Sequence, residues 1–181
     1  MNLDWLRPPP GGRIAPQEIL LQVRARYIAL TLLSALVLDL FALPSLLQQI
    51  RPDFIALTLI YWVVYHPRRV GFLPAWLLGL IMDVADGSLF GQHALAYAVL
   101  MYLAILLHRR SVMFGMRHQM VHVLATLVAS QVIMLGVRLM AGADFPGVLY
   151  FAPSLLGAAM WPLLFNLIRV PLRPRSDPDA V

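Results

Sequence analysis

The chain has 181 residues, of which 60% are apolar and only 13% charged, and it carries a formal net charge of +5. An ordinary soluble domain has about 25% charged residues, so a water-soluble globular fold is excluded and lipid is the expected solvent. Cysteine is absent, which removes disulfides, thiolate nucleophiles and Cys-based metal sites, and all fourteen cations are arginine.

Residues 1–26 read as a cytoplasmic N-terminal segment. It contains Pro8-Pro9-Pro10 and Gly11-Gly12 and lacks the apolar stretch of a signal peptide. Hydropathy then places a six-helix transmembrane domain over 27–168, with spans at Tyr27–Leu43, Leu46–Tyr65, Val70–Leu89, His93–Leu107, Met120–Met140 and Val148–Ile168. The second is interrupted by Gln48, Gln49, Arg51, Pro52 and Asp53, which leaves about twelve clean apolar residues; five spans is the rival count. Residues 169–181, rich in proline and alternating charge, read as a disordered cytoplasmic tail. The fold class is therefore an all-α polytopic membrane protein with about six transmembrane helices.

Twelve arginines fall on one side of these spans, in the N-terminal segment, at Arg68 and Arg69, at Arg109, Arg110 and Arg117, and in the tail. Arg51 and Arg138 fall on the other. Positive charge marks the cytoplasmic side, so the reading is a bacterial inner-membrane protein with both termini in the cytoplasm. Arginines that flank apolar spans point to lipid headgroups rather than to nucleic acid.

No glycine-rich phosphate loop, His-Glu-x-x-His or Gly-x-Ser-x-Gly occurs, so no catalytic residue, cofactor or metal is assigned. His118 and His122 are spaced for a metal on one helix face but have no third ligand nearby in sequence. The informative residues are polar ones at membrane depth. Asp39 falls about 18 Å into the first span and Asp83 about 20 Å into the third, at 1.5 Å per residue. A carboxylate so placed costs about 2.5–3.5 kcal/mol to insert and normally faces a protein interior or a wet cavity. Gly79, Asp83 and Gly87 share one helix face, expected to pack closely against another helix with Asp83 satisfied by hydroxyl, amide or cationic partners. On that reading Asp83→Asn is tolerated and Asp83→Leu is not. In the fifth span His122, Thr126, Ser130, Met134 and Arg138 form a polar stripe, whose hydroxyls either face a partner or bond their own helix carbonyls. Arg138 is expected to meet headgroups or to pair with Asp86 or Asp39.

Between positions 51 and 103 an ordered set of short motifs appears. Arg51-Pro52-Asp53-Phe54 is followed by Tyr61-Trp62, then Pro67-Arg68-Arg69-Val70-Gly71, Leu78-Gly79-Leu80-Ile81-Met82-Asp83, and Gly87-Ser88-Leu89-Phe90-Gly91-Gln92-His93. In this order and spacing the chain resembles the rod shape-determining protein MreD family; Asp86 departs from the family pattern and receives no family role. The resemblance implies a non-enzymatic scaffold of the cell-elongation machinery that supports peptidoglycan synthesis. Its main partner would be MreC, in an assembly with MreB, RodA and a penicillin-binding transpeptidase. It also implies a fold like the membrane substrate-binding subunits of energy-coupling-factor transporters. The rival function is a small-molecule binding or transport subunit that uses the Asp83 cleft.

Overall fold

Arg51-Pro52-Asp53 determines how the first half of the chain is cut into helices. The computed structural model describes residues 25–113 and 115–170; the N-terminal segment through residue 24 and the tail from 171 lie outside the described residues. Helix α1 spans Ala25–Leu40, and a short α2 (Ser45–Ile50) is separated from α3 (Phe54–Tyr65) by Arg51-Pro52-Asp53. Proline disfavours helical backbone at the residue before it, and Arg51 is extended at φ −61° and ψ 125°. The single second span expected from hydropathy is thus two helices with a corner between them. The chain continues through α4 (Phe72–Ala85), α5 (Gln92–Met113), α6 (Met116–Met140), a 3-10 turn at Val148–Phe151, and α7 (Ala152–Arg169). No strand occurs among the described residues.

Helix α3 is the axis of the bundle. Its residues Ile55 through Val64 are all buried, as a helix that is apolar on every side requires. It packs against α1, α5, α6 and α7, while α5 also runs along α4 and α6. The outer helices expose leucine-rich stripes, including Leu30, Leu33 and Val37 on α1, Leu73, Leu77 and Ile81 on α4, and Leu163 and Leu167 on α7. Continuous apolar surface of that extent is not left in water by soluble monomers. Two helical stretches, Met116–Met140 and Val148–Arg169, are long and apolar enough to cross a membrane; Phe72–Ala85 and Gln92–His108 are shorter apolar helices. With twelve residues, α3 is only about 18 Å long, so its N-terminus lies inside the bundle.

Gly79 permits the tightest crossing. A Cβ there would sit 2.4 Å from Ala94 Cα, so α4 and α5 meet with backbone against backbone. Gly87 does not share this contact, contrary to the expected glycine face. It lies beyond the end of α4 at φ +59°, with nothing within 4 Å of an added Cβ. Its glycine serves the turn.

The end of the bundle that carries the His66–Arg69 loop is closed by aromatic rings. Tyr61 lies 5.2 Å from Trp62 and 5.1 Å from Tyr65, centroid to centroid, and Tyr65 lies 5.4 Å from Phe165. Gln119 Oε1 accepts from Tyr65 OH at 2.9 Å and from Trp161 Nε1 at 3.3 Å. Trp62 donates to Thr31 at 2.9 Å. A void of about 10 Å³ lies there beside Gln119, Thr126 and Trp161, and an apolar cleft of about 210 Å³ runs between α1, α3 and α7 past Tyr27 and Thr31.

Candidate functional site

At the opposite end, two helix N-termini are buried, and each needs acceptors for backbone N–H groups that have no partner within the helix. Asp53 is the N-cap of α3 and accepts from Ala56 N at 2.7 Å. Asp39, from the last turn of α1, accepts from Phe54 N at 3.2 Å and Ile55 N at 2.8 Å. Two carboxylates thus meet the positive end of one helix dipole, the favourable arrangement for anions. Arg51 balances them, with Nε 4.0 Å from Asp39 Oδ1 and Nη1 donating to Phe41 O at 3.0 Å. Tyr97 of α5 donates to Asp53 Oδ2 at 2.8 Å, which ties α5 to α3.

The second N-terminus belongs to α5. The residue before it is Gly91, at φ +96°, which has no side chain with which to cap. Asp83 of α4 does this work instead. Its Oδ2 accepts from Gly91 N at 2.7 Å, and its Oδ1 accepts from His93 N at 2.7 Å, His93 Nδ1 at 2.9 Å and Ser88 Oγ at 3.1 Å. The Asp83 side chain is fully buried. Because a carboxylate only accepts, Nδ1 of His93 is assigned as protonated. That leaves Nε2, which lies 3.7 Å from Asp86 Oδ2.

Between these caps and the far ends of α6 and α7 lies a cavity of about 810 Å³, within the range of small-molecule sites. It brings together Asp39, Arg51, Pro52, Asp53, Gly87, His93, Ser130 and Arg138 from the residues singled out in the sequence. Asp83 and Gly91 stand behind it as the support of His93. Gly79 is in the helix crossing, Arg69 is in the α3–α4 loop, and Gly71 is the N-cap of α4 with open space around it. The hydroxyls of Thr126 and Ser130 bond the carbonyls of His122 and Leu127 within their own helix, each at 2.8 Å. Arg138 forms no hydrogen bond or ion pair with either expected carboxylate among the described residues; Asp39 is committed to α3 and Arg51.

Sequence reading missed Gln131, Tyr150 and Ser154, which complete the wall. Gln131 Nε2 donates to Tyr150 O at 3.0 Å, and Ser154 Oγ donates to Gln131 Oε1. Their signal was a polar Gln one residue after Ser130 in an otherwise apolar span. Among the described residues no group of three or more His, Asp or Glu side chains is arranged to hold a metal.

Helices with an apolar exterior around a charged, capped interior define an integral membrane protein of the helical-bundle class. The family model of the rod shape-determining protein MreD matches residues 22–171. The chain belongs to that family, which assigns it a role in the determination of rod shape. No solved structure matches the chain.

Proposed function

We propose that this protein is a non-enzymatic scaffold of the rod complex in the bacterial inner membrane. It crosses the membrane six times, with α2 and α3 together making the second crossing, and both termini are cytoplasmic. It binds the membrane helix of MreC between its own helices and joins MreB, RodA and a penicillin-binding transpeptidase in support of peptidoglycan synthesis. The family match over 22–171 carries this reading. The arginine distribution supports the orientation, and the proposed fold is like that of energy-coupling-factor substrate-binding subunits. Depletion in the native rod-shaped host should give rounded cells that still build septal wall, and affinity purification in mild detergent should recover MreC. Rods that persist through many generations of complete depletion would refute it.

The cavity favours a second reading, a small-molecule binding or transport subunit. In that case the purification should recover ATPase subunits in place of wall-elongation proteins.

A further inference from the structure

Most charges around the cavity are already engaged. Asp39 and Asp53 serve the N-terminus of α3, with Arg51 beside them. Two charged features remain open to the cavity. One is the Asp86 carboxylate beside His93 Nε2, on the α4–α5 side. The other is the Arg138 guanidinium in the last turn of α6. Helix α5 packs along both α4 and α6, so the two features flank it, and no ion pair joins them among the described residues.

Their chemistries differ. Asp86 presents a carboxylate to the cavity, its Oδ2 3.7 Å from Nε2 of a His93 ring that Asp83 holds at Nδ1. A carboxylate open to the cavity suits an ammonium group, which offers three N–H donors and no acceptor. Arg138 offers only donors, in the planar fork that matches phosphate or carboxylate. We propose that the cavity is a binding site for a zwitterion, its ammonium held by Asp86 and its anionic group by Arg138. Asp83 is a positioning residue that holds the His93 ring beside Asp86. The chemistry is shared by a soluble amino-phosphate and by a phosphatidylethanolamine headgroup, and the site stands whether the chain acts as scaffold or as transport subunit.

The test uses the full chain in nanodiscs of phosphatidylglycerol, with O-phosphoethanolamine, ethanolamine and inorganic phosphate as separate probes in a calorimetric titration. For a soluble ligand, saturable binding of O-phosphoethanolamine is expected, with ethanolamine and phosphate each at least tenfold weaker. Arg138→Gln and Asp86→Asn should each weaken O-phosphoethanolamine at least tenfold while leaving the melting temperature of the unliganded protein unchanged. For a lipid ligand, native mass spectrometry of protein extracted from mixed phosphatidylethanolamine–phosphatidylglycerol vesicles should show selective retention of phosphatidylethanolamine, lost in both variants. Phosphate binding as tightly as O-phosphoethanolamine, or unchanged binding or retention in Asp86→Asn, would overturn the zwitterion. Absence of both saturable probe binding and selective lipid retention would overturn the site.

Discussion

The two ends of the bundle are built on opposite principles. Around the C-terminus of α3, aromatic rings from α1, α3 and α7 interlock over a void of about 10 Å³, with an apolar cleft of about 210 Å³ on the α1–α7 side. Around its N-terminus, carboxylates and arginines surround about 810 Å³ of open space. The difference follows from helix ends. At the C-terminus of α3 the leftover groups are carbonyls, of which Trp62 O is met by His66 N among rings that need no charged partner, whereas the N-termini of α3 and α5 present N–H groups that require buried acceptors. Once Asp39, Asp53 and Asp83 are brought in to satisfy them, that end cannot be packed as a dry core, because buried charges demand partners or water. One end is therefore suited to holding helices together and the other to holding something polar.

Substitutions can sharpen this contrast. The largest effect is expected at Asp83. Asp83→Leu strands four donors, two of them backbone N–H groups, at about 1–3 kcal/mol each, so the protein should fail to accumulate in membranes on immunoblot. The structure also revises the sequence expectation for Asp83→Asn. One carboxylate oxygen faces Gly91 N and the other faces three donors, so the amide nitrogen of Asn must confront a donor wherever it points. A loss of about 1–3 kcal/mol is expected, visible as a lowered melting temperature in detergent.

Trp62→Ala should come next, at about 3–5 kcal/mol, because the ring is fully buried among Tyr27, Tyr61 and His66. Gly79→Ala follows. Its new methyl would meet the Ala94 backbone, and pushing α4 from α5 should cost about 1–3 kcal/mol, again read by thermal unfolding. The smallest effect on stability is expected at Arg138→Gln, within about 0.5 kcal/mol, since no structural partner is lost. A large destabilisation there would mean that the cavity end relies on Arg138 for packing.

Much of this division could be read along the chain, though not all of it. The interruption at Arg51-Pro52-Asp53 and the stretch of about twelve apolar residues after it were visible, whereas the corner that proline and the capping Asp53 make between two helices was not. Asp39 and Asp83 stood out because a carboxylate at that depth needs a reason. Their partners were hidden, since Asp39 caps a helix that begins fifteen residues later, and Asp83 caps one across a turn closed by two positive-φ glycines. A clue existed at Gly91, where a helix begins with no Ser, Thr, Asp or Asn to cap it. Gly87 was misassigned because helical periodicity was carried one turn past the real end of α4. The wall formed by Gln131, Tyr150 and Ser154 depends on how α6 and α7 pack, which no single-span pattern encodes.

The most direct test of the contrast between the ends lies on a single helix. Thr126 and Met134 are both buried, two turns apart on α6, yet Thr126 borders the small void and Met134 the large cavity. The chain has no native cysteine, so Thr126→Cys and Met134→Cys can each be exposed, in nanodiscs open on both faces, to a charged methanethiosulfonate reagent. Labelling of Met134→Cys at least tenfold faster than Thr126→Cys, with both labelling fully after denaturation, is the predicted result. Equal rates, or a silent Met134→Cys in the folded protein, would contradict the division into a closed aromatic end and an open polar one.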